Sequence, residues 1–310
     1  MGAVNQKKRV LAIVGHTASG KSSLAISVAQ HLGGEIVSCD STAVYRGFDI
    51  GTDKVPASER GGVPHHLIDV VEPTELYSAA RYSREAVSAI HRITKDGKLP
   101  IVVGGSGLYY RALTRGLFDG PGRDDVMRRR LTQISLRRGA EYLHRMVSRV
   151  DPDTATRVHP RDEKRLIRAL EVYFLTRLPL SKHFLQTRSP LEGYQIVVFG
   201  LRLASNLISS RIAKRVDQQF SSGLLQEVRG LLARGVPVTA HPFSGLVYRQ
   251  VLEHFDGIRH EEATRALIVK ENQKYARRQL IWFRKEPNLE WINRPGEDPE
   301  TLEKILCLMN

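Results

Sequence analysis

Several features that would each indicate a different class of protein are missing from this sequence. Only two cysteines occur in 310 residues, Cys39 and Cys307, too few for a disulfide scaffold or a cysteine zinc site. No apolar run approaches the roughly 18–20 residues that a helix needs to span a bilayer. The opening stretch MGAVNQKKRV lacks the apolar segment of a signal peptide, and Gln6 breaks the myristoylation pattern. We therefore expect a protein of the reducing cytoplasm without a membrane partner.

Acidic residues are scarce relative to basic ones. The chain has 47 Lys and Arg against 33 Asp and Glu, a net charge of +14. Residues 123–188 hold 16 basic and 8 acidic residues, a net charge of +8, and residues 265–286 hold 7 and 2, a net charge of +5. Clustered positive charge favours a polyanionic partner with extended contacts. A basic but otherwise ordinary enzyme is the alternative.

The order of the predicted elements indicates an α/β fold. Short buried strands alternate with helices, the strands at 9–14, 35–38, 67–71 and 101–103, the helices at 21–31 and 77–95. This alternation predicts an open parallel sheet of the P-loop NTPase type with helices on both faces. Residues 117–189 contain no strand-like run, whereas residues 195–201 return to the sheet and the remainder reads as helical. We predict a catalytic core of residues 1–116 and 190–310, interrupted by an all-helical insertion at 117–189.

The strongest local motif follows the first predicted strand. Residues 15–22, here called the P-loop, read GHTASGKS and fit G-x-x-x-x-G-K-S/T between a strand and a helix. In this context backbone amides and the positive end of the helix surround phosphate oxygens, Lys21 adds a charge, and Ser22 can ligate Mg²⁺. The motif predicts Mg²⁺ and a di- or triphosphate bound by Gly15, His16, Thr17, Ala18, Ser19, Gly20, Lys21 and Ser22. A kinase or NTPase would carry the same motif.

Two polar positions lie just after later strands. Asp40 follows the second strand, and Ser106 lies in a Gly-Gly-Ser-Gly turn after the fourth. Because the carboxyl ends of parallel strands meet at one edge of a sheet, we expect both residues to share one crevice with the P-loop. Asp40 can accept a proton from an attacking nucleophile, although a helix cap or a Mg²⁺ ligand is the alternative.

Basic side chains recur at helical spacing in three later segments. Arg211 and Arg215 share one helix face, and residues 164–168 combine basic side chains with an apolar face; a solvated surface is the alternative for both. A third, continuous basic face is formed by Lys270, Lys274, Arg277 and Arg278. That face is long and unmatched by acids, which favours contact with a phosphate backbone. His65 and His66 have no metal-ligand partners nearby and are interpreted as structural.

Taken together, these stretches resemble the tRNA dimethylallyltransferases, also called tRNA isopentenyltransferases. The matching segments run from residue 10 to about 284 and include GHTASGKSSLA, DSTAVYRGFDIGTDK, HHLIDV, VVGGSGLYYRAL, HPRDEKRLIRALEV, RIAKRVDQQFSSGLLQEV and YARRQLIWFR. The resemblance implies that the dimethylallyl group of dimethylallyl diphosphate is transferred to N6 of the adenosine 3′ of the anticodon in tRNA, with Mg²⁺ present and diphosphate released.

The resemblance also implies a role for each matching residue. Asp40 would be the base that engages N6, and Ser106, where the family has threonine, would contact the same amine. Lys21 and the P-loop would hold the diphosphate, and Arg215 would steady the departing oxygen. The helical insertion would clamp the anticodon stem, and the implied tRNA-contacting set is Asp40, Ser41, Thr42, Ala43, Ser106, Arg128, Lys164, Arg165, Arg168, Tyr248, Arg249, Gln250, Arg277, Arg278, Gln279, Trp282 and Arg284. Nothing in the sequence demands a dimer, so a monomer is expected.

Besides Ser106, the sequence departs from the family pattern at six positions. They are His16 for proline, Arg81 for aspartate, Gln219 for methionine, Val247 for glycine, Gln273 for arginine and Ile281 for threonine. The last three lie in segments assigned to tRNA, so they bear on RNA affinity and choice more than on the transfer.

Three other kinds of protein are alternatives to a tRNA prenyltransferase. An adenylate isopentenyltransferase would need no basic insertion. A nucleoside or shikimate-type kinase would need a cluster of lid arginines that this sequence lacks. A non-catalytic RNA-binding protein would not need the intact Lys21, Ser22 and Asp40.

Overall fold

The computed structural model describes residues 8–118 and 120–309. In this part of the chain six strands form one sheet in the order β3-β2-β4-β1-β5-β6, and every neighbouring pair is parallel. The strands are β1 Lys8–Gly15, β2 Gly34–Cys39, β3 His65–His66, β4 Leu99–Gly104, β5 Tyr194–Leu201 and β6 Leu289–Ile292. The predicted α/β class with a parallel sheet is confirmed.

Thirteen helices are described in the same residues. They are α1 Lys21–Leu32, α2 Ala79–Lys95, α3 Gly107–Thr114, α4 Asp125–Arg138, α5 Ala140–Val150, α6 Pro152–Arg157, α7 Glu163–Thr176, α8 Leu180–Leu185, α9 Ser205–Ser221, α10 Leu224–Ala233, α11 Leu246–Phe255, α12 Glu261–Phe283 and α13 Pro299–Met309. The chain divides into two compact units. The sheet unit contains the described residues up to 113 and from 191 onward, and the helical unit contains those from 114 to 190, including α4 to α8. Among all these helices, none combines the length and apolar character needed to cross a membrane.

Strand β1 is buried on both faces, which explains its continuous apolar sequence. Val10, Ala12 and Val14 join the core cluster that includes side chains of α2, α9 and α12. Leu11 and Ile13 point the other way, into a second cluster with side chains of α1 and α13. Side chains alternate along a strand, so consecutive residues of β1 supply the cores on opposite faces of the sheet.

The structure corrects two expectations about the strands. Residues 67–71 do not form a strand: β3 ends at His66 because Leu67 and Asp69 have φ values of 63° and 55°, a left-handed conformation that interrupts a ladder. Val71 makes only an isolated bridge to Tyr45. Residues 289–292, predicted as helical, form β6 because they pair in parallel with β5.

Candidate active site

The P-loop connects β1 to α1, and its carbonyl oxygens differ from most of its amides in their hydrogen bonding. The carbonyl oxygen of His16 accepts from Lys21 Nζ at 2.5 Å, that of Ala18 from Arg211 Nε at 2.7 Å, and that of Ser19 from the Gly296 amide at 2.9 Å. By contrast, the amides of residues 18–22 meet no hydrogen-bond acceptor in the described part of the chain. With the N-terminus of α1, these amides present hydrogen-bond donors of the kind that can bind an anion.

Lys21 is half-buried next to these amides, and its pKa responds to the loss of contact with water. Desolvation first and the nearby Arg215 second lower the pKa of Lys21 to about 7, while Asp40 opposes the shift. Among the described residues its ammonium donates to two P-loop atoms, to His16 O and weakly to Ser19 Oγ at 3.5 Å. An anion bound by the amides would therefore favour the protonated lysine.

His16, the residue that replaces the usual proline, supports the start of the loop. Its Nε2 lies 3.1 Å from the Leu203 amide, which can only donate, so Nε2 accepts and Nδ1 carries the proton. Nδ1 then donates to Thr17 O at 2.8 Å. Burial lowers the pKa of His16 to about 4, which keeps this single neutral tautomer near neutral pH.

Arg215, to which the resemblance assigns contact with the departing oxygen, lies against the P-loop residue Thr17. One guanidinium nitrogen, Nη1, donates to Thr17 Oγ1 at 3.1 Å and to Asp53 Oδ2 at 3.0 Å. Burial raises the pKa of Asp53, and the charge of Arg215 counteracts this. The sequence interpretation missed Asp53; its only signal was a carboxylate in the GTDK stretch that was already matched to the family.

Asp40 and Ser106 lie beside each other at the ends of β2 and β4. Oδ1 of Asp40 accepts from the Thr42 amide at 2.8 Å and from Thr42 Oγ1 at 2.7 Å, which holds the side chain in a local turn. Oδ2 has no hydrogen-bond partner among the described residues. Ser106 Oγ accepts from the Ser41 amide at 3.0 Å, which ties the two strand ends together.

Gln279, predicted to contact tRNA, is buried inside this site. Its Oε1 accepts from the Thr17 amide at 2.8 Å, and its Nε2 donates to Gly105 O at 3.0 Å. A β-carbon on Gly105 would overlap the amide nitrogen of Gln279, so a larger residue at this turn would displace the Gln279 side chain. Gln279 therefore joins the P-loop to the turn that carries Ser106.

P-loop residues 17–22, Asp40, Arg215 and Gln279 line one cavity of about 470 Å³, whereas Ser106 is not among its lining residues. The polar lining also includes Asp53 and Glu297, and the apolar lining includes Ala25, Ile26, Val55 and Ile68. No group of three or more metal-ligating His, Cys, Asp or Glu side chains occurs in the described residues. The cavity therefore combines an anion site with an apolar surface and one carboxylate oxygen available to accept a proton.

In the helical unit, two arginines predicted to contact tRNA are held by a buried carboxylate. Glu171 is fully buried and accepts from Arg128 Nε and Nη2 at 2.8 and 2.9 Å, from Arg168 Nη1 at 2.6 Å and from the Asp124 amide at 2.9 Å. Although burial raises it, these donors lower the pKa of Glu171 to about 2. Lys164 and Arg165 on the same helix, α7, are exposed.

The remaining predicted tRNA contacts differ in their exposure. Tyr248 is buried and donates to Glu227 Oε1 at 2.7 Å, and the buried Gln250 accepts from Arg259 at 2.7 Å, so both can affect RNA only through helix α11. Ala43 is buried, whereas Arg249, Arg277, Arg278 and Arg284 are exposed. Trp282 packs directly over Gly107. Contact of these residues with tRNA stays a prediction.

Comparisons with known proteins agree on one family. A family model described as IPP transferase matches residues 43–286. The chain is 43% identical to a tRNA dimethylallyltransferase of Solibacter usitatus over 96% of each chain, and 42% identical to one of Geobacter metallireducens over 97% of each. The fold is similar to a tRNA isopentenylpyrophosphate transferase of Bacillus halodurans, with TM-score 0.73 and 35% identity over 98% of this chain and 96% of that one. It is also similar to a eukaryotic dimethylallyltransferase described as acting on tRNA, with TM-score 0.78 and 26% identity over 97% of this chain and 77% of that one.

Proposed function

The chain belongs to the IPP transferase family, and we propose that it transfers the dimethylallyl group of dimethylallyl diphosphate to N6 of the adenosine 3′ of the anticodon in tRNA. One observation carries this proposal: the anion site of the P-loop and the available carboxylate oxygen of Asp40 line the same cavity. The apolar side chains that line that cavity suit a short isoprenoid chain. No observation favours free adenylate as the acceptor.

The transfer breaks one C–O bond and forms one C–N bond. An exocyclic amine is a weak nucleophile, so the reaction depends on stabilising the departing diphosphate. The amides of residues 18–22, Lys21 and Arg215 supply positive charge where that negative charge develops. As N6 bonds to the allylic carbon, its proton passes to Asp40 Oδ2, while Oδ1 stays fixed by Thr42. We also propose that Ser106, whose Oγ holds the Ser41 amide next to Asp40, helps to orient the same amine.

The residues of the cavity fit a magnesium ion shared with the diphosphate. Ser22 contributes a hydroxyl at the start of α1, and Asp40 and Asp53 contribute carboxylates to the same cavity. Mg²⁺ prefers oxygen ligands and usually keeps several waters beside substrate phosphates, so a full set of protein ligands is not needed. When bound, the ion would neutralise part of the charge on the diphosphate.

Exposed basic side chains support a polyanionic acceptor. Lys164 and Arg165 on α7, and Arg277 and Arg278 on α12, lie at the surface. Such residues bind the phosphate backbone largely independently of sequence. The target adenine must leave the stack of its loop to enter the cavity. We propose the anticodon stem-loop as the bound region, a monomer as the active form, and the cytoplasm as the location of the reaction.

A prenylation assay with two acceptors tests the proposal. The protein is incubated with labelled dimethylallyl diphosphate and Mg²⁺, with either tRNA or AMP as acceptor, and label is expected in tRNA alone. Asp40→Asn keeps the shape of the side chain but removes the base, so we expect kcat to fall by about 10²–10⁴ with little change in tRNA binding. Asp96→Asn, an exposed carboxylate at the end of α2, is the matched control. Labelling of AMP but not tRNA, or a normal kcat for Asp40→Asn, would contradict the proposal.

A further inference from the structure

A segment near the C-terminus packs directly on the P-loop. Residues 294–298, here called the strap, connect β6 to α13 and lie beyond residues 43–286 that match the family. The Gly296 amide donates to Ser19 O at 2.9 Å. A β-carbon on Gly296 would overlap the carbonyl oxygen of Gly20, so the two backbones approach as closely as only glycine allows.

Arg211 joins the strap to the P-loop. Its Nε donates to Ala18 O at 2.7 Å, and its Nη2 donates to Glu297 Oε1 at 2.7 Å. The carboxylate of Glu297 in turn lies over Gly20: a β-carbon there would be 2.6–2.7 Å from the carboxylate atoms. One guanidinium therefore contacts the loop backbone and a carboxylate of the strap at the same time.

The backbone of the loop explains why such support is needed. Ala18 has a φ of 57°, a left-handed conformation that is unfavourable for a residue with a β-carbon. A strained conformation persists only where its surroundings hold it. Arg211 and Gly296 hold the consecutive carbonyl oxygens of Ala18 and Ser19 on one side. Because the peptide unit is planar, fixing a carbonyl oxygen also fixes the direction of the next amide.

We propose that Arg211 and Glu297, acting through the strap, are positioning residues that keep the P-loop amides directed at the diphosphate. They do not contact the reacting atoms, and their effect is on the affinity for the phosphate group. The proposal rests on the proposed function only in taking diphosphate as the ligand. Binding of inorganic diphosphate needs no prenyl transfer, so the two proposals can fail separately.

The change in diphosphate affinity on removing Glu297 has opposite signs if Glu297 acts by positioning the P-loop and if it acts only through its charge. Glu297 places a negative charge beside an anion site, so on charge alone its removal would strengthen diphosphate binding. Its removal would also free Arg211 to bind the anion directly. Positioning predicts the opposite, because Arg211 then loses the partner that orients it toward Ala18 O. Weaker binding of diphosphate by Glu297→Leu, both with and without Mg²⁺, is therefore the result that positioning predicts and that the lost charge does not.

The test is the Kd for inorganic diphosphate with and without Mg²⁺, measured by calorimetry on the full chain. We expect Arg211→Leu to raise the Kd at least tenfold and Glu297→Leu at least threefold. Because the two residues act through each other, the double variant should bind no more than twofold more weakly than Arg211→Leu. The KM for tRNA should change less than twofold in each.

Arg202→Leu is the matched control. Arg202 also holds the C-terminal region, through Asn293 Oδ1 at 2.9 Å and over the Trp291 ring, but it makes no contact with the P-loop. We expect a Kd within twofold of the wild type for this variant. Thermal unfolding shows which variants are folded at the assay temperature. If Arg211→Leu is unfolded there, the Glu297→Leu variant provides the test, because the Glu297 side chain is half-exposed.

Three results would overturn the proposal. They are an unchanged Kd for the folded Arg211→Leu, tighter binding by Glu297→Leu, and an effect of Arg202→Leu equal to that of Arg211→Leu. If the wild type itself fails to bind diphosphate, the proposed function is contradicted instead.

Discussion

Replacing Glu171 by Gln should destabilise the helical unit by about 3 kcal/mol, because two partly buried guanidinium groups and a backbone amide lose their charged acceptor. The fully buried carboxylate accepts four hydrogen bonds, two from Arg128, one from Arg168 and one from the Asp124 amide. A glutamine keeps one acceptor oxygen and turns an NH₂ group toward a guanidinium. The two arginines then face each other without the negative charge between them.

The pKa of Glu171 supports the same magnitude. It is lowered from 4.5 to about 2. At about 1.36 kcal/mol per unit, this difference corresponds to roughly 3 kcal/mol of stability. Because the pKa is lower in the folded protein, this stabilisation is present above pH 4.5 and is lost as the pH falls from 4.5 toward 2. The loss on acidification should be much smaller in the Gln variant.

Urea unfolding monitored by circular dichroism checks this expectation. The wild type and Glu171→Gln are compared at pH 7 and again at about pH 3. Arg165→Gln is the matched control, because Arg165 is exposed and its one ion pair within residues 8–118 and 120–309 is with Asp162 at 3.3 Å. Exposed pairs contribute about 0–1 kcal/mol, so the control should unfold almost like the wild type. Equal midpoints for Glu171→Gln and wild type at pH 7 would refute the reasoning.

Two predictions concern substrate binding. Because Arg168 is paired with the buried Glu171, Lys164→Glu combined with Arg165→Glu is the better test of RNA contact. We expect a sharply higher KM for tRNA, a similar KM for dimethylallyl diphosphate, and a salt dependence of binding reduced by about one to two phosphate contacts. Wild-type values for all three would remove this surface from the tRNA site. Lys21 has a pKa of about 7, so it should take up a proton when diphosphate binds above pH 7. The affinity for diphosphate should therefore fall as the pH rises. The Lys21→Arg variant should stay charged and lack this proton uptake. Calorimetry in buffers of different ionisation enthalpy measures the uptake, and equal uptake by both proteins would contradict the assignment to Lys21.

Features with local causes could be predicted from the sequence. The P-loop requires a buried strand, a glycine-rich turn and a helix in succession, and all three are contiguous between residues 8 and 32. The buried strands could be recognised because burial on both faces requires continuous apolar sequence. Two strands were mistaken because they are short. Left-handed residues end β3, and only pairing with β5 defines β6.

The partners of the polar side chains were decided by tertiary structure. Composition showed that residues 123–188 are basic, but not that Arg128 and Arg168 surround a buried glutamate. Gln279 meets Thr17 across 262 positions of sequence, and Arg211 meets Glu297 across 86. The sequence by itself determined the anion site and the parallel sheet, because strand burial and glycine turns act within a few residues. The tertiary structure alone decided which charged side chains face the cavity and which support the P-loop, because those contacts join elements that are distant in the chain.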